Sequence, residues 1–181
     1  MGALRIIAGQ YKNRSLASPK TTKTHPMSEQ IRGAIFNTLG DIEGLTVLDT
    51  FAGSGAIGLE AISRGAEAVV LIDADKSAQK AIADNIQDLA MQPKAKLIKT
   101  TISNWLATTI ADQRFDIVIA DPPYHDVQLP TIARLTERIA TDGWLVLSWP
   151  GKESLPVFPD CVRVVERSYG DAQLGYYQKV N

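Results

Sequence analysis

From residue 44 onward the chain repeats one pattern that leaves few folds open: a short apolar run, a helix-like stretch, then another apolar run. The runs fall at 45–48, 68–72, 95–98, 115–120 and 144–147, with helices expected near 55–64, 76–91, 102–111 and 127–141. Strands this short and apolar offer no polar face to solvent. They belong in a parallel sheet covered on both sides by the helices. After Gly151 the helices cease, and 162–165 with 173–180 read as a strand hairpin at one sheet edge.

Upstream of this alternation the pattern differs. Residues 4–17 read as two short strands joined by a turn around 9–13, and 18–27, with Pro19 and Pro26, as an extended connection. Ser28 is placed to cap a helix with Glu29 in its first turn. Ile31, Ala34, Ile35 and Leu39 follow at helical spacing, and Gly40 is a stop.

Composition narrows the setting. With 181 residues, 45% of them hydrophobic, the chain can bury one sizeable core. No apolar run approaches the roughly 20 residues that span a bilayer, and the N-terminus has no signal-peptide pattern. Cys161, the single cysteine, cannot form an internal disulfide and sits in an apolar strand. A reducing, cytoplasmic setting is therefore expected. The net charge of −1 hides a segregation. Residues 1–32 hold Arg5, Lys12, Arg14, Lys20, Lys23 and Arg32 against Glu29 alone, so this end carries +5 and the rest −6. A basic end of this kind suits a phosphate-rich partner, although a solvated basic face gives the same count.

Two loops carry the chemistry. The first, Asp49-Thr-Phe-Ala-Gly53-Ser54-Gly55-Ala-Ile-Gly58, follows an apolar strand and opens a helix. Its glycines permit a tight turn and close approach of a cofactor to the backbone. Asp73 ends the next strand, where a carboxylate can bind a ribose diol. The spacing alone fits a dinucleotide as well as S-adenosylmethionine. Asp49 favours the latter, because a carboxylate there repels a pyrophosphate and suits the α-ammonium of a methionine moiety. The expected cofactor set is Asp49, Phe51, Gly53, Ser54, Gly55, Asp73 and Ala74, with Asp121 from the second loop. That loop, Asp121-Pro122-Pro123-Tyr124, follows the 115–120 strand. Asp49, Asp73 and Asp121 should converge at the carboxyl edge of the sheet. An exocyclic base amine is a poor nucleophile, since its lone pair is delocalised into the ring. Asp121 and the Pro122 carbonyl can accept its two N–H bonds, and the Tyr124 ring can stack on the base. The expected catalytic residues are Asp121, Pro122 and Tyr124. His125 is expected to be solvated, and no metal is expected.

With both motifs in view, the chain resembles the RsmD family, bacterial small-subunit (16S) ribosomal RNA guanine-N2 methyltransferases. Arg5-Ile-Ile-Ala-Gly9, the segment from His25-Pro26-Met27 to Asn37, the stretch 51–66, Asp121–Tyr124 and Tyr169-Gly170-Asp171 with Tyr176-Tyr177 carry the likeness. His25-Pro26-Met27 stands where the family has Arg-Pro-Thr. Thr101 stands where an Asp near the adenine amino group is usual, and Ser148-Trp149-Pro150 where a Glu is frequent. The resemblance implies an α/β, Rossmann-like class I methyltransferase with a seven-stranded, mostly parallel sheet, helices on both faces and an N-terminal β-hairpin. It also implies that S-adenosyl-L-methionine is the cofactor, that Thr101 joins its site and that ribosomal RNA or an assembling small subunit is the partner. Residues 1–27 are expected to contact RNA and 28–181 to form the methyltransferase domain. Arg5, Lys12, Arg14, His25, Arg32 and Tyr124 are the expected substrate-binding residues, in a monomer. The rival readings are an adenine-N6 or cytosine-N4 DNA or glutamine-amide protein methyltransferase, a nicotinamide-dependent oxidoreductase, and an RNA-binding module without activity.

Overall fold

A computed structural model describes residues 4–20, 27–110 and 112–180. Helix α1 (Glu29–Leu39) starts where the Ser28 side chain accepts the Ile31 N–H, and it ends at Gly40, whose φ of 80° suits glycine. Then come β1 (Thr46–Thr50), α2 (Ala56–Ser63), β2 (Ala68–Asp73), α3 (Lys76–Asp88), β3 (Ala95–Lys99), α4 (Ile102–Thr108), β4 (Phe115–Ala120), α5 (Leu129–Leu135), β5 (Ile139–Pro150), β6 (Cys161–Tyr169) and β7 (Ala172–Lys179). The seven strands form one sheet in the order β3-β2-β1-β4-β5-β7-β6. Strands β1 to β5 are mutually parallel where they pair, and only β7 runs against its neighbours β5 and β6. This is the expected sheet, including its single reversed strand. Cys161 is buried and free at the start of β6, as expected.

The sheet separates two apolar layers. One holds Ile35 and Phe36 of α1, Leu59 and Ile62 of α2, and Ile82 and Ile86 of α3. The other holds Ile102, Trp105 and Leu106 of α4, Ile132 and Leu135 of α5, and Leu155 and Phe158. The chain winds to opposite sides after β1 and β4, and a crevice opens between the loops that leave these adjacent strands.

Two local expectations need correction. The helix expected over 127–141 stops at Leu135, with a 3-10 turn at Thr136–Arg138, and β5 begins at Ile139. Ile139 pairs with Phe115 and Trp144 with Ile117, so a bulge absorbs the polar Thr141-Asp142-Gly143 within the strand. The N-terminal hairpin is also less regular than expected. It folds back on itself, with Ile6 N–H donating to the Arg14 carbonyl at 2.9 Å and Leu16 N–H to Leu4 at 2.8 Å, but only Arg5 and Ser15 form a bridge. Lys12, Asn13 and Arg14 donate within the turn, and other donors go to the helices beneath. Ile7 and Ala8 donate to Glu60, Tyr11 to Ser63 Oγ and Ala17 to Asn85. Gly9 lies so close that a Cβ would stand 1.8 Å from the Ser63 carbonyl oxygen, and its φ is +80°. Among the described residues no helix is long and apolar enough to cross a membrane.

Candidate active site

The crevice is a cleft of about 710 Å³. Phe51, Gly53, Ile72, Asp73, Ala74, Ala78 and Thr100–Ile102 form one end; Asp121 to His125, Gln128 and Ser148 form the other; Met27, Ser28 and Ile31 close one side. Sheet register explains the meeting of the two loops. Thr50 pairs with both Ile72 and Ala120, so Phe51, Asp73 and Asp121 leave the sheet at one level.

The glycines divide the work. Gly53 faces the cleft. Gly55, at φ 77°, makes the turn into α2, and a Cβ there would press on Leu71 Cδ2 at 3.1 Å. A Cβ on Gly58 would lie 2.9 Å from Val69 Cγ1, so this glycine seats α2 against the sheet. Phe51 holds a left-handed φ of 58°, a conformation that costs a non-glycine residue about 1–2 kcal/mol. One oxygen of Asp73 accepts the Gly53 N–H at 2.8 Å and the other the Asp75 N–H at 2.8 Å. The carboxylate thereby ties the glycine loop to the end of β2. Burial raises its pKa, and these backbone bonds oppose the rise.

Asp49 differs from the expectation. Strand β1 continues to Thr50, so Asp49 lies within the strand, beneath the cleft floor, and is 1% exposed. Its Oδ2 accepts the Gly58 N–H at 2.9 Å. Burial, with smaller contributions from Asp121 and Asp73, pushes its pKa up to about 7 against the opposing Gly58 bond. Ser54 and Gly55 are also buried and absent from the cleft surface. The cleft thus brings together Phe51, Gly53, Asp73, Ala74, Thr101, Asp121, Pro122 and Tyr124 of the expected residues, with Asp49 below. Thr101 is exposed on the rim and caps α4 by accepting the Asn104 N–H.

At the other end Pro122 is buried and Tyr124 is 40% exposed. The Tyr124 hydroxyl lies 2.9 Å from Ser148 Oγ, two residues before the end of β5 at Pro150. Burial raises the Asp121 pKa, and a hydrogen bond from Ser148 opposes it. Nothing local in the sequence tied Ser148 to the Asp121 loop; only the pairing of β4 with β5 does so.

The expected substrate residues are dispersed. Arg5 is half exposed and doubly bonded to Glu29, at 3.0 and 3.3 Å. Arg14 donates to the Asp88 carbonyl, and Lys12 is exposed. Arg32 does not reach the surface. It is fully buried, donates to the Arg5 carbonyl and faces the buried Glu60 at 4.0 Å, so it anchors the N-terminal segment and is closed to a phosphate. His25 lies outside the described residues, although Met27 after it lines the cleft.

Comparison with known proteins bears on the whole chain. A family model described as conserved hypothetical protein 95 matches residues 4–178. Ribosomal RNA small subunit methyltransferase D of Escherichia coli is 34% identical over 145 residues, which cover 80% of this chain and 70% of that protein. YlbH of Bacillus subtilis, described as an rRNA methyltransferase, is 30% identical over 182 residues, covering 97% and 99%. The solved structure of yhhF from Escherichia coli, described as a methyltransferase, superposes with a TM-score of 0.87 at 30% identity, covering 99% of each chain. With the glycine loop, the Asp121–Tyr124 loop and the seven-stranded sheet in their expected places, the chain belongs to the RsmD family of class I methyltransferases.

Proposed function

We propose that the chain transfers a methyl group from S-adenosyl-L-methionine to the exocyclic N2 of a guanine in small-subunit ribosomal RNA. The observation that carries this is the single cleft that joins the Gly53–Asp73 end to the Asp121–Tyr124 loop. The names of the relatives favour ribosomal RNA over DNA or protein as acceptor.

The cleft suits the cofactor. Its volume falls in the range of small-molecule sites, its wall at Phe51, Ile72, Ala78 and Ile102 is apolar, and Gly53 leaves the backbone open to close approach. Asp73 would take the ribose hydroxyls, Thr101 the adenine edge, and Asp49 would lend negative charge beneath the methionine ammonium. When bound, S-adenosylmethionine supplies a methyl group already activated on a sulfonium. The remaining work is orientation. Asp121 and the Pro122 carbonyl accept the two N–H bonds of the guanine amine and turn its lone pair toward the methyl carbon. Pro122 and Pro123 stiffen the loop. The Tyr124 ring stacks on the base. The proton freed after transfer leaves through Asp121 or water. Residues 28–181 would perform this chemistry in the cytoplasm, and residues 1–27 would hold the RNA.

Three outcomes follow. With its pKa near 7, Asp49 is largely protonated at pH 6 and ionised at pH 8. A bound ammonium favours the ionised form, so S-adenosylhomocysteine affinity should rise with pH, by about tenfold from 6 to 8. Calorimetry across this range should find that rise, and Asp49→Asn should flatten it. Thr101→Asp keeps a helix-capping group. Because a neutral hydroxyl bond contributes only about 0.5–1.5 kcal/mol, the change should leave cofactor affinity equal or improved. A large loss would remove Thr101 from the cofactor site. Replacing Arg5, Lys12 and Arg14 by alanine should weaken RNA binding and flatten its salt dependence by about 0.7 in slope per lost phosphate contact. Cofactor affinity should hold, since the three lie away from the cleft lining. An unchanged slope would move the RNA surface elsewhere.

Incubation with methyl-labelled S-adenosylmethionine and, separately, naked ribosomal RNA, assembling small subunits, DNA and protein tests the acceptor class. Label should enter ribosomal RNA. Label confined to DNA or protein would overturn the proposal.

A further inference from the structure

Ser148 stands apart from both sequence motifs yet touches the one that does the chemistry. It lies two residues before the end of the twelve-residue β5, lines the cleft and is 4% exposed. Its Oγ is 2.9 Å from the Tyr124 hydroxyl, and the pairing of Ala120 with Leu147 sets Ser148 level with Asp121 where both leave the parallel pairing. A serine hydroxyl has one proton to give and lone pairs to receive. An ionised carboxylate can only accept. With Asp121 ionised, Ser148 is the donor that lowers its pKa, and the Tyr124 hydroxyl then donates to Ser148.

We propose that Ser148 is a positioning residue that couples the two ends of the Asp121–Tyr124 loop, fixing the Tyr124 ring for base stacking and holding the Asp121 carboxylate as an acceptor for the target amine. The inference rests on the proposed methyl transfer for its kinetic consequences. The Tyr124–Ser148 contact itself is a property of the resting protein. Two constraints act on one loop. The prolines limit its backbone, while Ser148 ties its two functional side chains to a strand buried in the sheet, where neighbouring Leu147 and Trp149 are both packed. A side chain held by a rigid strand loses less entropy when the base arrives. The other titratable groups around Asp121 are Asp49 and Asp73 from β1 and β2, Asp75, and Tyr124 and His125 on its own loop.

The test compares Ser148→Ala, Ser148→Thr, Tyr124→Phe and the Tyr124→Phe/Ser148→Ala double variant in the full chain. With small-subunit ribosomal RNA as acceptor, Ser148→Ala should lower kcat by about ten- to hundredfold, with S-adenosylhomocysteine affinity unchanged. Its acidic pH limb should move upward by about one unit, because the carboxylate has lost a donor. Ser148→Thr should restore most of both. The double variant should fall well short of the product of the two single losses, since the residues share one chain. Carboxyl 13C titration of Asp121 in the resting protein, assigned with Asp121→Asn, gives a readout independent of any acceptor, and it should rise in Ser148→Ala. Wild-type protein that methylates no ribosomal RNA would contradict the proposed function, and the Asp121 titration would still decide the role of Ser148. An unmoved Asp121 titration, or an active wild type beside a Ser148→Ala variant of equal kcat and pH profile, would overturn the inference.

Discussion

Replacing Asp121 by alanine is expected to reduce methyl transfer by about 10²–10⁴-fold, the range for removal of a group that orients or accepts the reacting proton. The variant loses the acceptor for one amine N–H, and the lone pair is then free to stay in the ring plane. S-adenosylhomocysteine affinity should stay within about threefold of wild type, because Asp121 is only one of the expected cofactor contacts and the others come mainly from the Gly53–Asp73 end. Asp121→Asn keeps one carbonyl acceptor and should be intermediate. Single-turnover rates and calorimetry on the same preparations separate the two effects. An alanine variant with near-normal turnover would reduce Asp121 to a turn residue.

The second large effect concerns stability. Glu60 is fully buried and accepts from Ile7 N–H at 2.7 Å, Ala8 N–H at 3.0 Å and Arg64 Nε at 2.8 Å, with Arg32 behind it at 4.0 Å. Glu60→Ala leaves the Arg32 charge buried without its counterion and two backbone donors without an acceptor. Breaking a buried pair from one side costs about 3–5 kcal/mol. At this chain length that corresponds to a fall in Tm of about 6–20 °C. Glu60→Gln should be milder, since one carbonyl oxygen remains to accept. Thermal and urea unfolding measure both. Because Glu60 belongs to α2, the helix opened by the glycine loop, losing this bond should also loosen the N-terminal segment, detectable as faster hydrogen exchange at Ile7 and Ala8. A Glu60→Ala protein of wild-type stability would show that the N-terminal segment is held by its apolar contacts alone.

Both effects illustrate what one-dimensional pattern reveals. The sheet was legible because parallel strands buried on two faces must be largely apolar, as the runs 69–72 and 117–120 are. The two motif loops were legible because glycine and proline impose backbone shapes that few other residues tolerate. Asp49 was misjudged in depth: a boundary drawn at the last aliphatic residue, Leu48, ignored that Thr50 can sit in a buried strand by donating to the Ile119 carbonyl. Arg32 was counted with the surface charges because charge alone does not reveal burial. Its partner Glu60 lies on another helix, a separation that no local period reports. Ser148 escaped for the same reason, since its link to Tyr124 exists only once β5 is laid beside β4. The start of β5 was hidden by Thr141-Asp142-Gly143, which has the composition of a turn and is accommodated by a bulge.

Nucleoside analysis of the methylated RNA tests the central claim most directly. After reaction of the full chain with S-adenosylmethionine and unmodified small-subunit ribosomal RNA, naked or in assembling subunits, the RNA is digested and its nucleosides are separated. N2-methylguanosine at close to one per RNA is the expected product, formed about 10²–10⁴-fold more slowly when Asp121→Ala replaces the wild-type protein. N6-methyladenosine or N4-methylcytosine in its place, or RNA that takes up no methyl group while DNA or protein does, would contradict the assignment of guanine N2 as the atom presented to Asp121.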